Sequence, residues 1–454
     1  MRIHFIAIGG AIMHQLAICL QHKGHTISGS DDVIFDPARS NLADAGLLPP
    51  EEGWFPAKLN PSIEAIILGM HAKVDNPELK KAKELKIPIY SFPEFIYKET
   101  ADKTRIVIGG SHGKTTITSM ITHVFQKLNA KFDILVGAKV PGIDQMVQLH
   151  KDTQIAIIEG DEYLSSPIDL RPKFIHYKAN IAVINGIAWD HINVFPTFEA
   201  YKHQFELFLN SLESNATVYY NAVDDQVVEL IKQWPEQLNA FPYSIPNYTV
   251  DGLASIIHHN GKDFPLSIFG KHNMNNLDAA RKICTTTANI SDEEFYSLIA
   301  DYTGAARRLE VIYNQKDTVL IKDFAHAPSK VTASVKAVKE AFPNQEVVAF
   351  FELHTYSSLN PDFIPQYAGA LDAADKAFIF FDEHALKIKK LPDLAVKAVQ
   401  RAFNNDKIEV INDKIRLQEI ALKQSDVGKV FLMMSSGSWA KTDLLEQMRK
   451  KLDA

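Results

Sequence analysis

Cysteine is scarce in this chain of 454 residues, which contains Cys19 and Cys284, far apart in the sequence. Because they form no CxxC pair, a disulfide framework and a structural zinc site are both disfavoured, and a reducing cytoplasm is the expected compartment. A surplus of positive charge is also lacking, since the formal net charge is -7 at pH 7. This balance argues against a protein that binds nucleic acid through a basic surface.

Long apolar runs are absent as well. No stretch approaches the roughly 18 uninterrupted apolar residues of a membrane span, so the sequence predicts no membrane insertion. The first residues run directly into a short strand pattern and the pair Gly9-Gly10, without the apolar region of a secretory signal peptide. Internal repeats and low-complexity tracts are missing too. We therefore expect an ordinary globular protein, and the length predicts about three domains.

What the chain does contain is a repeated alternation of short apolar runs and segments with helical periodicity. Each run ends in Gly, Asn, Asp or Glu, which predicts an α/β fold with mostly parallel sheets. We expect a polar linker at 99–103 and a domain boundary near Gly304. The predicted strands are residues 3–8, 25–28 and 65–68, then 105–108, 155–158 and 181–184, and finally 318–321, 347–351, 377–381 and 430–434.

The strongest single motif joins the predicted strand 105–108 to an amphipathic helix. Consecutive backbone N–H groups in such a loop can cradle phosphates, and the helix N-terminus favours negative charge. Lys114 is placed to reach the β- and γ-phosphates of a nucleotide, and the Thr115 hydroxyl to bind Mg²⁺. The strict P-loop pattern fails at Ile108, so a tight turn with an incidental lysine is the alternative. The loop consists of Gly110, Ser111, His112, Gly113, Lys114, Thr115 and Thr116.

Two further strand ends carry candidate metal ligands. Glu159 follows an apolar run and can hold Mg²⁺ against a nucleotide, because magnesium prefers oxygen ligands. His191, in the pair Asp190-His191, can bind a second cation, and two cations suit phosphoryl transfer. The alternatives are a solvated acidic loop at Glu159 and a structural histidine at 191.

The N-terminal turn is a degraded dinucleotide-binding pattern, with Ala7 and Ile12 in place of two glycines. Gly9 and Gly10 still permit close approach of a diphosphate, and Asp31 stands where an acidic group would meet a ribose. A plain strand–helix turn is the alternative reading.

Three polar sites in the last two fifths of the chain are ambiguous on local grounds. Asn273 can contact an adenine edge through its amide or can cap a helix. Arg308 can stabilise charge on a transferred phosphoryl group and Asp323 can accept from a nucleotide hydroxyl. Each of these two charged residues can equally form a surface ion pair.

In their order and spacing, these pieces together resemble the Mur ligase family over nearly the whole chain. The set comprises a glycine turn, G-x-H-G-K-T-T, a strand-end Glu, Asp-His, H-N-x-x-N, R-R and D-F-x-H-x-P. The resemblance implies an ATP-dependent, amide-forming ligase with Mg²⁺. It also implies three domains, which are a Rossmann-like UDP-sugar domain at 1–103, a central P-loop ATPase-like domain at 104–303 and a Rossmann-like C-terminal domain at 304–454.

The resemblance also implies roles for individual residues. The expected catalytic residues are Lys114, Glu159, His191 and Arg308. The expected metal ligands are Thr115, Glu159 and His191. Beyond the loop 110–116, the expected ATP contacts are Asn273, Arg308 and Asp323. The expected UDP-sugar contacts are Gly9, Gly10, Ala11, Ser30, Asp31 and His71.

The sequence resembles two subgroups of the family that differ in the donor substrate. Residues 159–163 and 171–177 look closer to the ligases that add the peptide L-Ala-γ-D-Glu-meso-diaminopimelate to UDP-N-acetylmuramate in peptidoglycan recycling. The opening and the turn 28–31 resemble the ligases that add L-alanine in biosynthesis, which are the alternative. Candidate donor contacts at the sheet edge are His354, Tyr356 and Ser357, and a solvated loop is the alternative.

The chain departs from the family pattern at Ile12, Ala188, Lys322 and Ala327. These departures concern substrate fit, because the ATPase motifs are retained. A regulatory module without catalysis is disfavoured for the same reason. A dinucleotide dehydrogenase built on the N-terminal turn leaves the phosphate loop unexplained.

Overall fold

The structure is a computed structural model that describes residues 1–138, 140–234 and 239–453. The chain divides into two compact units. The first contains residues 1–187, 202–243 and 282–284, and the second contains residues 188–201, 244–281 and 285–454. The first two predicted domains therefore share one unit for most of their length. Among the described residues, no helix combines the length and apolar character that a membrane crossing requires.

The N-terminal part of the first unit is a parallel sheet of four strands with helices packed against it. The strand order is β2-β1-β3-β4, and every pair is parallel. Strand β3 is buried along its whole length, as expected for a strand covered on both faces. The elements are β1 (Arg2–Ile6), α1 (Ala11–His22), β2 (Thr26–Ser30), α2 (Ala38–Asp44), β3 (Ala65–Leu68), α3 (Pro77–Glu84), β4 (Ile89–Ser91) and α4 (Phe92–Thr100).

The remainder of the first unit is built on a seven-stranded sheet of order β13-β12-β11-β5-β8-β6-β7. All neighbours are parallel except β6 and β7, and β9 pairs with β10 in a separate hairpin. The elements are β5 (Thr104–Gly109), α5 (Lys114–Lys127), β6 (Asp133–Leu135), β7 (Val147–Gln148), β8 (Ile155–Glu159), β9 (Leu164–Ser166), β10 (Asp169–Pro172), β11 (Ile181–Ile184), α6 (Phe198–Asn210), β12 (Thr217–Asn221), α7 (Asp225–Lys232) and β13 (Asn239–Tyr243).

The second unit begins with a small antiparallel sheet, β14-β15-β16, and continues into a six-stranded sheet. Helices α6 and α8 each have residues assigned to both units. The first elements of the second unit are β14 (Tyr248–Asp251), β15 (Ala254–His259), β16 (Lys262–Leu266), α8 (Lys271–Thr287) and α9 (Asp292–Ile299).

The six-stranded sheet has the order β17-β18-β22-β19-β20-β21, in which β17 is antiparallel to β18 and the other pairs are parallel. Separate apolar cores cover its two faces, so the central strands β22 and β19 are buried except at their first residues. The elements are β17 (Glu310–Gln315), β18 (Thr318–Asp323), α10 (Pro328–Ala341), β19 (Glu346–Leu353), β20 (Lys376–Phe381), α11 (Glu383–Lys389), α12 (Val396–Phe403), β21 (Ile408–Ile411), α13 (Lys414–Gln424), β22 (Lys429–Met434) and α14 (Leu444–Asp453).

The strands predicted from the sequence are all present, with ends that differ by up to two residues. The predicted linker at 99–103 is wrong, because its first two residues complete α4 and Lys103 is buried in an ion pair with Asp133. Helix α8 begins at Lys271, so Asn273 lies inside its first turn. Gly304 lies between α9 and β17 with a φ of +101°.

Candidate active site

The loop between β5 and α5 is shaped by two glycines in the left-handed half of backbone space. Gly110 has a φ of +136° and Gly113 has a φ of +76°. A Cβ atom at Gly110 would lie 3.0 Å from the backbone nitrogen of Asn185 and 3.1 Å from that of Gly186. A side chain at this position would therefore strain the loop and collide with the neighbouring strand end. Ser111, Thr115 and Thr116 in the same loop are buried.

Lys114 lies at the start of α5 and is held by two oxygens. Its ammonium donates to the Gly110 carbonyl at 2.7 Å and to Glu162 Oε2 at 2.6 Å. Burial alone would lower the pKa of Lys114, but the carboxylates of Glu162, Asp161 and Glu159 outweigh it and raise the pKa well above its ordinary value. The residue is therefore a fixed cation at the N-terminus of the helix. Sequence reasoning did not identify Glu162 as its partner.

Glu159, the last residue of β8, lies beside the hydroxyl predicted to bind Mg²⁺. The Thr115 hydroxyl donates to Glu159 Oε2 at 3.0 Å, and the Gly137 N–H donates to the same oxygen at 3.2 Å. Burial raises the pKa of Glu159 and the Lys114 cation opposes that shift. An adjacent hydroxyl and carboxylate are hard oxygen ligands of the type that Mg²⁺ prefers, so this pair fits the predicted ion.

A set of hydrogen bonds from β11 fixes the back of the loop. The Asn185 side chain donates to the His112 carbonyl at 2.9 Å and accepts from the Tyr243 hydroxyl at 2.6 Å. The Ser111 N–H donates to the Gly186 carbonyl at 2.9 Å. Asn185 is 1% exposed, so its amide is wholly used in positioning the loop. The sequence showed that Asn185 follows an apolar strand, but it did not indicate which residue its side chain contacts.

The N-terminal turn after β1 is closed by backbone and carboxylate contacts. Asp31 Oδ2 accepts from the Gly9 N–H at 2.7 Å, and the Ser30 carbonyl accepts from Ala7 and Ile8. Burial raises the pKa of Asp31 to about 6, although the Gly9 N–H opposes the shift. Ala7 has a φ of +67°, a conformation for which the dinucleotide-binding pattern has a glycine.

These contacts change the roles predicted for two residues of the UDP-sugar set. Asp31 is 5% exposed and positions the glycine turn, and Ser30 is fully buried. The Asp31 carboxylate accepts from the N–H groups of Gly9 and Asp32, and the Ser30 side chain is enclosed in the protein, so the ribose contact expected of these two residues stays a prediction. Ala11 and His71 are exposed, and Gly9 and Gly10 are half-buried at the carboxyl ends of the strands. The turn itself is thus the accessible part of this predicted site.

The remaining predicted active-site residues belong to the second unit. Asp190 Oδ1 accepts from the His191 N–H at 2.8 Å, and His191 has a φ of +55°. Lys330 on α10 lies 3.4 Å from Asp190 Oδ2. Burial would raise the pKa of Asp190, but the Lys330 ammonium holds it far below its usual range. His326 is kept neutral, since burial and Lys330 lower its pKa to about 3.

Arg308 and Asp323 meet at the carboxyl end of β18. The Arg308 guanidinium lies over the Phe324 ring at 4.9 Å from its centroid. Asp323 is 5% exposed, and its carboxylate accepts from the N–H groups of Leu309 and Phe324 and from the Ser334 hydroxyl. Asp323 therefore anchors the turn that carries Arg308, whose side chain is half-buried. This arrangement differs from the nucleotide contact predicted for Asp323.

Asn273 lies in the first turn of α8, where its amide donates to the Phe269 carbonyl at 2.9 Å. The side chain is 8% exposed, so one amide hydrogen is already committed within the protein. In the same unit His272 is half-buried, and desolvation lowers its pKa, an effect that Asp323 opposes and Arg308 reinforces. The Asn273 side chain is therefore directed toward the N-terminus of α8 and not toward an exposed surface.

The carboxyl ends of β19 and β22 form the neighbouring part of this edge. Glu352 accepts from the Trp439 N–H at 2.9 Å and from the Ser435 hydroxyl. Of the three predicted donor contacts, His354 has a side chain that is 37% exposed and Tyr356 is 47% exposed, whereas Ser357 is buried. Only His354 and Tyr356 are therefore accessible. Sequence reasoning did not identify the role of Glu352.

Comparison with known families accounts for nearly the whole chain. Residues 2–104 match the Mur ligase family catalytic domain, residues 108–284 the Mur ligase middle domain, and residues 307–437 the Mur ligase glutamate ligase domain. The chain belongs to the Mur ligase family, whose members are ATP-dependent ligases that release ADP and act in peptidoglycan metabolism. The predicted three-domain α/β class is confirmed.

Relatives with two different donors are similar to this chain. The UDP-N-acetylmuramate–L-alanine ligase of Caldanaerobacter subterraneus is 30% identical and is aligned over 96% of this chain and 95% of its own. The UDP-N-acetylmuramate–L-alanyl-γ-D-glutamyl-meso-2,6-diaminoheptandioate ligase of Haemophilus influenzae is 25% identical over 96% of both chains. The crystal structure of a murein peptide ligase from Psychrobacter arcticus superposes with a TM-score of 0.64 at 21% identity, over 100% of this chain and 98% of that one. This last likeness concerns the fold.

Proposed function

We propose that this Mur ligase joins the lactyl carboxylate of UDP-N-acetylmuramate to the N-terminal amine of L-Ala-γ-D-Glu-meso-diaminopimelate. The reaction serves peptidoglycan recycling in the cytoplasm. The use of ATP is supported by the geometry of the loop 110–116. The Lys114 ammonium lies 2.6 Å from Glu162, and the Thr115 hydroxyl lies 3.0 Å from Glu159. The peptide donor is supported by the resemblance at 159–163 and 171–177 and by a relative of that activity aligned over 96% of the chain.

The chemistry proceeds in two steps. The lactyl carboxylate attacks the γ-phosphorus of ATP, the bond to the β-phosphate oxygen breaks, and an acyl phosphate and ADP result. The peptide amine then attacks the acyl carbon, loses a proton and expels inorganic phosphate. In the first unit, Lys114 is the cation opposite the negative charge of the transferred group. Thr115 and Glu159 would hold Mg²⁺, which neutralises and orients phosphate oxygens when bound. In the second unit, Arg308 is a candidate for a further cation, and His191 is the candidate ligand of a second Mg²⁺.

In the first unit, the UDP-sugar is assigned to the N-terminal turn. The half-buried Gly9 and Gly10 and the exposed Ala11 leave the backbone open to a diphosphate at the start of α1. Asp31 and Ser30 hold that turn in place from beneath, through Gly9 and through the backbone of Ala7 and Ile8. Their contribution to binding is therefore indirect.

L-Alanine is the second candidate donor, because relatives that add L-alanine reach 30% identity, against 25% for the peptide-adding relative. The experiment that separates the two measures phosphate release with UDP-N-acetylmuramate, MgATP and each donor at equal concentration. We expect a higher kcat/KM for the tripeptide. A higher value for L-alanine would assign the chain to biosynthesis and contradict the proposal. Lys114→Ala is the control in both assays, since it removes the phosphate-binding cation.

A further inference from the structure

A half-buried lysine is held over an exposed tyrosine at the carboxyl edge of the second unit's large sheet. The Lys389 ammonium lies 4.7 Å from the centroid of the Tyr356 ring. Lys389 is in the last turn of α11, which begins two residues after β20 ends. Tyr356 follows β19 and is 47% exposed. The ring restricts the ammonium to one place while leaving its hydrogens available to an anion.

Strand order sets the separation between the proposed reaction centre and the strands that lead to Tyr356 and to α11. Arg308 contacts Phe324, immediately after β18, and the strands then follow in the order β18, β22, β19 and β20. The strand registers bring the carboxyl ends of these four strands to one edge of the sheet. The paired residues there are Asp323 with Met434, Met434 with Phe351, and Leu353 with Phe381. With neighbouring strands roughly 4.8 Å apart, β20 lies about 14 Å from β18.

That separation matches the length of a short peptide. Three extended residues span roughly 10 Å, and the γ-linkage and the long side chain of diaminopimelate extend a donor further. A donor whose amine lies at the end of β18 and whose chain crosses β22 and β19 therefore extends its terminal carboxylates toward Tyr356, over which the Lys389 ammonium lies. A single alanine is too short to reach there.

Resting on the proposed function, we infer that Lys389 binds a terminal carboxylate of the donor peptide and so favours the tripeptide over L-alanine. Tyr356 is a positioning residue that holds the ammonium in place and gives the peptide chain an aromatic surface. The exposed side of His354 lies on the path between β22 and β20. The ligand class is thus an extended peptide with a carboxylate at its distal end.

The test compares steady-state constants of Lys389→Gln with those of Lys387→Gln, a control two residues earlier on the same helix. Lys387 is exposed. We expect Lys389→Gln to raise KM for the tripeptide about tenfold, because a charge-assisted contact to a carboxylate is lost, with kcat within about twofold. For the shorter donors L-Ala-γ-D-Glu and L-alanine, KM should be unchanged. Lys389→Arg, which keeps the charge, should restore most of the tripeptide affinity.

Three outcomes decide the inference. A rise in KM confined to the tripeptide and to Lys389→Gln supports it. Equal KM values of Lys389→Gln and Lys387→Gln for the tripeptide overturn it. If the wild type still prefers the tripeptide in that case, the proposed function stands. A wild-type preference for L-alanine overturns both together.

Discussion

The Lys114–Glu162 pair gives a prediction about stability that is separate from catalysis. The side chains are 14% and 1% exposed, and Glu159 and Asp161 add to the negative charge around the ammonium. Lys114→Ala leaves Glu162 buried without its cation. Breaking a buried pair in this way typically costs about 3–5 kcal/mol, and the partial exposure of Lys114 places the loss at the lower end. We therefore expect a loss of about 3 kcal/mol, together with abolished ADP production.

The assay is urea unfolding of the ligand-free protein, followed by far-ultraviolet circular dichroism and tryptophan fluorescence. With an m-value of about 3 kcal/mol per molar, a loss of 3 kcal/mol moves the midpoint down by about 1 M. The double variant Lys114→Ala, Glu162→Gln should recover most of that shift, because the uncompensated charge is gone. Neither variant should regain activity.

Lys127→Ala is the matched control, since Lys127 is an exposed lysine in the last turn of the same helix. It should lose no more than about 1 kcal/mol, the size of an interaction with the helix dipole. The reasoning is refuted if Lys114→Ala unfolds at the wild-type midpoint. It is also refuted if the double variant is less stable than Lys114→Ala.

Three further predictions concern single sites. Gly186→Ala places a Cβ atom 2.4 Å from the His112 ring, so KM for ATP should rise about tenfold, and an unchanged KM would contradict the role given to this contact. His191→Ala should lower turnover by about 10²–10³ with ATP affinity within about threefold, because the cation that it would bind acts in phosphoryl transfer. The reverse pattern would contradict that role. Burial would raise the pKa of Glu78, but its hydrogen bonds with His4 and with the Phe55 N–H lower the pKa below its ordinary value. The ionised Glu78 carboxylate should therefore stabilise the fold above pH 4.5, and this stabilisation should be lost on acidification. Glu78→Gln should therefore cost more stability at pH 7 than at pH 4, as measured by urea unfolding, and an equal cost at both would contradict the shift.

The parallel sheets and the phosphate loop could be predicted from the sequence because their signals are local. An apolar run that ends in a small or polar residue marks a buried parallel strand, and two glycines mark a loop that needs left-handed backbone. Lys114 and Thr115 follow directly from the place of that loop at the start of a helix. The order of the motifs was then sufficient to indicate the family.

The partners of those residues could not be predicted, because they are remote in the chain. Glu162 is 48 residues from Lys114, and Asn185 is 73 residues from His112. Asp31 and Asp323 have the spacing expected of ligand contacts, yet burial turns both carboxylates toward backbone N–H groups. A sequence pattern gives the residue type at a strand end, but not whether its side chain faces a ligand or the protein.

The sequence by itself therefore determined the fold class, the ATP-binding loop and the family, since each depends on short-range backbone chemistry and spacing. Only the tertiary structure decided which carboxylate holds Lys114, which acidic residues support a turn instead of a ligand, and where Lys389 lies. The physical reason is that parallel strands are joined by long crossovers, so neighbours at a sheet edge are set by strand order and register. Strand order brings β18, β22, β19 and β20 together although β22 is the last of them in the chain.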